Sequence, residues 1–257
     1  MMNVTILANE IYKRYGPVTR ARECFLYTKK EIRLTDLFQE NGRAILGWRG
    51  NEASTYLKNT LSKGLTGSFI TEDKPRINKA VNLLLNSDRN IYYFSNKSDA
   101  LKECLKISPE NTAIYRPWNQ DNIDWSAVKC VIIAPPFPWT DTIYIAAVTE
   151  KTDDISSIKL PFALENAIAR SIYNLIKSLQ ERQEKDWFIY DTVLTKYFTR
   201  KGPYLYPKID EKKYDDFVKH CLDCEIIINP DYNKPSIIPF GADKGVFTKL
   251  KNNPFKI

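Results

Sequence analysis

The chain has 257 residues, of which 43% are hydrophobic and 27% charged, a balance typical of a globular protein that buries its own core. Its apolar runs are far shorter than the ~20 residues that cross a bilayer, and its first ten residues lack the pattern of a signal peptide. This composition excludes extended disorder, and we expect a cytoplasmic protein without a membrane segment.

The net charge is +7 and the isoelectric point is near 9.0. Lysines and arginines are spread along the chain and mixed with acidic residues, and no ribonucleoprotein-type motif, zinc-finger motif or basic cluster is present. Nucleic-acid binding proteins concentrate their charge on one surface. The dispersed pattern therefore predicts an ordinary solvated surface and argues against a nucleic-acid partner.

The sequence Cys221-Leu-Asp-Cys224 follows the only histidine, His220. A zinc site needs four well-placed ligands, and the chain has no second cysteine or histidine pair to complete one. Cys221 also falls on the apolar face of a predicted helix, together with Tyr214 and Phe217. We therefore predict no metal site, and we expect all five cysteines to be reduced.

The predicted elements of the N-terminal third are short. In chain order they are a helix over 3–15, strands over 23–28, 32–37 and 43–47, and helices over 52–61 and 78–85. Gly16-Pro17 ends the first helix, and Asn41-Gly42 is a strong turn signal before the third strand.

A rhythm of strand, helix and strand follows. The predicted elements are a strand over 90–94, a helix over 99–107, strands over 112–115, 128–134 and 142–148, and a long helix over 161–185. Such alternation is typical of parallel crossover units, so it predicts an α/β domain with a reduced, mainly parallel sheet and flanking helices.

The C-terminal part predicts a smaller α+β unit, with helices over 187–198 and 211–221 and strands over 225–228 and 236–240. We therefore predict two domains. The small α+β domain comprises 1–75 and 186–257, and the reduced α/β domain comprises 76–185 and ends in the long helix.

Three stretches in the correct order resemble the fold-type I aminotransferases, which depend on pyridoxal phosphate (PLP). The stretch 33–47, Arg-Leu-Thr-Asp-Leu to Leu-Gly, is similar to the family's N-terminal strand pair. The stretch 91–106 is similar to its strand–turn–helix motif. The third stretch is the tail, where the long helix leads to 202–206 and then 217–239, and it is similar to the family's small C-terminal domain. The resemblance implies an aminotransferase-like fold, shortened and degenerate, that binds PLP and forms a homodimer.

In that family the turn of the second motif holds the cofactor phosphate. The corresponding residues here are Ser95, Asn96, Lys97, Ser98 and Asp99, which we call the 95–99 turn. A helix N-terminus favours an anion, because its backbone N–H groups and its dipole point toward the ligand. The alternative is structural, with Ser98 as an ordinary N-cap and Asp99 complementing the helix dipole.

An active enzyme of this family also needs an aspartate under the pyridine nitrogen and a lysine for the Schiff base. The resemblance leaves Asp141 as the candidate aspartate and Lys151 or Lys159 as the candidate lysine, none of them within a recognisable motif. The catalytic lysine is therefore not identified.

Two functions stay open. One is an aminotransferase-like protein that binds PLP or another phosphate-bearing small molecule. The other is a non-catalytic homodimer that uses the fold for association, with the aromatic segments 135–139 and 116–118 as contact surface.

Overall fold

The computed structural model describes residues 2–50, 52–67, 69, 76–119, 123–139, 142–152 and 155–256. The chain divides into two compact units. Unit 1 comprises Met1–Trp48, Trp118–Gln120 and Arg182–Ile257, and unit 2 comprises Arg49–Pro117 and Asp121–Glu181. The domain boundaries predicted at residues 75 and 186 stay a prediction.

The secondary structure follows the chain in short elements. The helices are α1 (Val4–Tyr15), α2 (Ala53–Ser62), α3 (Arg76–Leu85), α4 (Lys97–Ile107), α5 (Phe162–Glu181), α6 (Lys185–Phe188), α7 (Asp191–Leu194), α8 (Glu211–Asp223) and α9 (Thr248–Asn252). The strands are β1 (Val18–Arg22), β2 (Phe25–Thr28), β3 (Arg33–Asp36), β4 (Asn90–Phe94), β5 (Thr112–Ile114), β6 (Cys130–Ile133), β7 (Tyr144–Val148), β8 (Phe198–Lys201), β9 (Tyr204–Pro207), β10 (Ile226–Ile227) and β11 (Ser236–Ile237).

The sheet of unit 1 joins the two ends of the chain. Its strand order is β1-β2-β3-β10, and the C-terminal β10 pairs in parallel with the N-terminal β3. A smaller antiparallel sheet has the order β11-β9-β8. Strands from the N- and C-terminal segments thus belong to the same unit.

Two local predictions for unit 1 are wrong, and one strand of this unit was not predicted. The segment 43–47 is a series of turns and not a strand, although Ala44, Ile45 and Leu46 are buried as a strand core would be. The predicted helix over 187–198 is two short helices, α6 and α7, followed by β8. The hairpin strand β1 was not predicted because its five residues are mainly polar and exposed.

The sheet of unit 2 is mixed, which corrects the prediction of a mainly parallel sheet. Its order is β4-β7-β6-β5. β7 pairs antiparallel with both β4 and β6, and only β5 and β6 are parallel. β4, β5 and β6 therefore run in one direction, and the insertion of a single reversed strand between β4 and β6 makes two of the three pairings antiparallel.

The helices of unit 2 pack as amphipathic elements. α2 and α3 lie against α5, whose apolar face is buried along its length from Ala163 to Leu175. α4 lies against β6 and β7 through Ala100 and Cys104, which are fully buried. Among the described residues, none of the helices combines the length and the apolar character that a membrane span requires.

Candidate functional site

Strand direction decides which loops of unit 2 share an edge of the sheet. Because β4, β5 and β6 run in the same direction, their carboxyl ends lie at one edge, and the reversed β7 begins there. The 95–99 turn follows β4, the 135–139 loop follows β6, and Thr142 precedes β7. In open α/β sheets, ligands bind outside the carboxyl ends of the strands. We call this edge the carboxyl edge.

The 95–99 turn leads directly from β4 into α4. The N-cap of α4 is Asn96, which corrects the expectation that Ser98 serves as the cap. The Asn96 side chain accepts a hydrogen bond from the Asp99 backbone N–H at 2.8 Å and donates one to the Asp99 carboxylate at 2.6 Å. Asp99 therefore already complements the helix dipole with its own negative charge.

The side chains of the turn remain open to solvent. Ser95, Lys97 and Ser98 are exposed, and Thr142 at the start of the neighbouring strand donates its hydroxyl hydrogen bond to the Ser95 carbonyl. Ser98 also borders a shallow groove of about 450 Å³ along α4, where Lys102 is a second cation. These groups can hydrogen-bond a phosphate, while Asp99 repels it.

Lys151 lies at the opposite edge of the sheet. β7 ends at Val148, which pairs with Asn90 at the start of β4, and Lys151 follows three residues later. β4 separates the two edges by about 13 Å, since each strand residue advances about 3.3 Å. The structure therefore does not bring Lys151 to the 95–99 turn.

Lys159 lies in a segment that flanks β4. The N–H of its neighbour Ile158 donates to the Tyr93 carbonyl at 2.9 Å, and the Tyr93 N–H donates to Ser157 Oγ at 2.9 Å. The Lys159 side chain is exposed, whereas Schiff-base lysines are activated by desolvation. Asp141, the candidate partner of a pyridine nitrogen, lies outside the described residues.

The residues of this site thus fit one part of PLP and not the other. Hydroxyls and a cation suited to a phosphate lie at the 95–99 turn. Of the two candidate lysines, Lys151 lies at the other edge of the sheet, and Lys159 is exposed to solvent.

The aromatic segments differ in their exposure. In the 135–139 loop, Phe137 is buried and stacks on Trp139 at 6.0 Å between ring centres, while Trp139 remains 39% exposed. Trp118 is partly buried against the core of unit 1, edge-on to Trp187 and with the Arg182 guanidinium 5.1 Å from the centre of its ring. The role of the segment 116–118 as a contact surface stays a prediction.

The cysteines offer no accessible thiol. All five are free and buried, with Cys221 on the inner face of α8 as predicted. His220 Nε2 lies 2.8 Å from the Asn253 carbonyl oxygen. Within the described part of the chain, no group of three or more histidine, cysteine or acidic side chains is arranged to hold a metal ion.

Sequence reasoning missed Asp36, a carboxylate at the end of β3 that is only 1% exposed. Its Oδ1 accepts the backbone N–H groups of Phe38 and Gln39 at 2.9 and 3.0 Å, and its Oδ2 accepts Trp48 Nε1–H at 2.8 Å. Burial raises the pKa of Asp36 to about 6, although these hydrogen bonds oppose the change. An aspartate two residues before a tight turn is the one signal that marks it in the sequence.

Comparison with known proteins agrees with this geometry at the level of the fold. No family model matches the chain. In sequence it is 25% identical to an uncharacterized protein of Treponema pallidum (strain Nichols), over 90% of this chain and 91% of that protein.

Two solved structures are similar over almost the whole chain. The ornithine aminotransferase of Plasmodium yoelii superposes with a TM-score of 0.69 and 12% identity, over 95% of this chain and 98% of that one. The acetylornithine aminotransferase of Elizabethkingia anophelis superposes with a TM-score of 0.64 and 10% identity, over 98% of both chains. The chain therefore has an aminotransferase-like fold, and the likeness extends well beyond the three stretches recognised in the sequence.

Proposed function

We propose that this chain is a non-catalytic binding protein on an aminotransferase-like fold, and that it holds a phosphate-bearing small molecule at the 95–99 turn. The observation that carries the proposal is the direction of the strands, which puts this turn at the carboxyl edge of the sheet and Lys151 at the other edge. PLP is the phosphate-bearing molecule that the fold suggests.

The anchoring contacts expected are those of an exposed helix N-terminus. The hydroxyls of Ser95 and Ser98 donate to phosphate oxygens, and the Lys97 ammonium supplies a positive charge. Asp99 works against them, so we expect weaker binding than at a helix start that has no carboxylate. Because Lys151 lies at the other edge of the sheet and Lys159 is exposed, we expect the ligand to be bound and not converted.

The direct test is a titration of the purified chain with PLP, followed by absorbance, borohydride reduction and peptide mapping. We expect saturable binding with no visible-range aldimine band and no lysine labelled by the reduction. Pyridoxal, which lacks the phosphate, is the matched ligand and should bind at least about tenfold more weakly, a difference of about 1.4 kcal/mol.

Two variants of unit 2 complete the test. Lys97→Met should weaken PLP binding several-fold, because it removes the cation of the turn. Lys129→Met removes an equal charge from an exposed position just before β6, at the opposite edge of the sheet, and should leave binding unchanged. A borohydride-stable label on Lys97, Lys151 or Lys159 would overturn the non-catalytic assignment, and equal binding of PLP and pyridoxal would overturn the phosphate site.

Association as a homodimer is the second candidate function, favoured by the exposed indole of Trp139. The stacked Phe137 beneath it and the prolines of the 135–139 loop hold the ring at the surface, and aromatic anchors of this kind are typical of interface centres. A second copy of this chain is the partner that we propose. Sedimentation velocity over a range of concentrations distinguishes a dimer from a monomer.

A further inference from the structure

Unit 1 contains a cavity that none of the sequence motifs predicted. Its volume is about 240 Å³, and it lies between α1 and the strands β1–β3, with Ile11, Leu26, Phe38 and Trp48 among its walls. The cavity therefore has room for a small organic molecule.

The lining of this cavity is mainly apolar, and it includes two carboxylic acids, Asp36 and Glu40. No lysine or arginine is among the described residues that line the cavity. Asp36 forms no ion pair with any described residue and accepts only N–H groups. Glu40 is two-thirds buried, and its nearest cation is Arg43, whose Nη2 lies 3.8 Å from Glu40 Oε2.

The backbone around these carboxylates is held in an unfavourable conformation. Gln39, Glu40 and Asn41 all have left-handed φ angles between 45° and 56°, a conformation that costs roughly 1 kcal/mol or more for a residue with a Cβ. The two N–H groups bound by Asp36 fix the start of this turn. Glu40 thus lies in a left-handed turn and, with Asp36, is among the residues that line the cavity.

We propose that this cavity binds a small organic cation, a primary ammonium on an aromatic or branched aliphatic body. The ammonium lies against Asp36 and Glu40, and the body fills the space between Ile11, Leu26 and Trp48. A buried carboxylate without a counter-cation is costly, and the ligand's ammonium supplies the missing charge. The site belongs to unit 1 and does not rest on the phosphate site proposed for unit 2.

Burial affects both carboxylates in the direction that this proposal expects. It raises the pKa of Asp36 to about 6 and also raises the pKa of Glu40, which Arg43 opposes. An ammonium ion would stabilise the charged carboxylates in place of protons. A neutral ligand of the same shape would gain the apolar contacts without this electrostatic contribution, and an anion would be repelled.

The test compares three probes of nearly equal shape by isothermal titration calorimetry of the intact chain near pH 8: phenethylammonium, 2-phenylethanol and phenylacetate. We expect the cation to bind at least about tenfold more tightly than the alcohol, and phenylacetate not to bind. Glu40→Gln should reduce the preference for the cation several-fold. Glu31→Gln, which changes an exposed carboxylate in the same unit, should have no effect.

Asp36→Asn provides a second variant, with thermal unfolding followed by circular dichroism to verify that it folds. In the folded variant, the preference for phenethylammonium over 2-phenylethanol should fall about tenfold or more. The proposal is overturned by equal affinity for the cation and the alcohol, by a cation preference that survives in both variants, or by the absence of cation binding up to about 10 mM, where even a weak site is occupied.

Discussion

Replacing Asp36 by asparagine should change how the stability of unit 1 depends on pH. The pKa of Asp36 is raised by burial from 3.8 to about 6 in the folded protein. Between these two values the folded state binds a proton that the unfolded state has released. Stability contributed by this residue is therefore present at low pH and is lost as the pH rises toward and past 6. This is the reverse of the usual behaviour of a hydrogen-bonded carboxylate.

The magnitude follows from the same two values. A tenfold change in a protonation equilibrium corresponds to about 1.4 kcal/mol, so a pKa raised from 3.8 to about 6 is worth about 3 kcal/mol at most. The asparagine side chain of the variant would keep an oxygen for the N–H groups of Phe38 and Gln39, but its NH₂ cannot accept from Trp48. The lost hydrogen bond should cost roughly 1–3 kcal/mol at all pH values.

The variant should therefore be less stable than the wild type near pH 4. Between about pH 4 and pH 7.5, the stability of the variant relative to the wild type should rise by about 2–3 kcal/mol. Hydrogen exchange of the α1 and β3 amides reports the unfolding of unit 1 and measures this difference. Carboxylates whose pKa is lowered in the folded protein, such as Glu10 and Asp215, contribute stability that changes with pH in the opposite direction. Because they are present in both the wild type and the variant, their contributions cancel in the difference.

Asp216→Asn is the matched control for this experiment, because Asp216 is an exposed carboxylate of α8 in the same unit, with 73% of its side chain accessible. This variant reports what the removal of an exposed carboxylate does to the stability of unit 1, and the shift seen for Asp36→Asn is compared with it. A constant difference for Asp36→Asn would refute the reasoning, since it would mean that Asp36 titrates alike in the folded and unfolded chain.

Three further changes have definite expected outcomes. Gly202→Ala should destabilise unit 1 by roughly 2–4 kcal/mol in urea unfolding, because φ is +54° and the new Cβ would overlap the Trp118 carbonyl oxygen; a stability near that of the wild type would contradict the close approach. Arg89→Met should cost unit 2 roughly 2–4 kcal/mol in the same assay, because the guanidinium donates to four backbone carbonyls of the segment 125–129, and Arg89→Lys should recover part of the loss. Trp139→Ser should shift sedimentation from dimer to monomer, whereas Phe188→Ser, at a 63% exposed position of α6, should not.

Local periodicity was sufficient to predict the helices that carry a full apolar stripe. The long helix α5 and the helix α8 lie within a few residues of their predicted limits, because in each the apolar residues recur at helical spacing and face a core. The same logic failed at 43–47. There, Ala44, Ile45 and Leu46 are buried by consecutive turns, and a short apolar run does not distinguish a buried turn from a strand.

The pairing of the unit 2 sheet was beyond local signals. The limits of the strands β4, β6 and β7 were predicted to within two residues. A single sequence does not show which of these strands pair with each other. The insertion of β7 between β4 and β6 depends on contacts between residues far apart in the chain, such as Phe94 with Tyr144. Strand direction therefore became known only from the structure.

Strand direction also decides which of the two candidate lysines lies near the proposed phosphate site. The likeness to ornithine and acetylornithine aminotransferases extends over nearly the whole chain at 10–12% identity. It therefore supports the backbone fold, and the role of each side chain has to be argued separately.

In the sequence, Lys151 and Lys159 are equivalent candidates, since both follow the last strand. Because β7 is reversed, Lys151 lies at the edge where β4 begins, while the segment that leads to Lys159 returns along β4 toward its carboxyl end. Of the two, only Lys159 is placed on the side of the sheet where a bound phosphate would lie, and its exposure deprives it of the desolvation that would activate its amine. A lysine label that appeared at Lys159 alone in the borohydride experiment would therefore mean that the bound ligand itself shields this side chain from water.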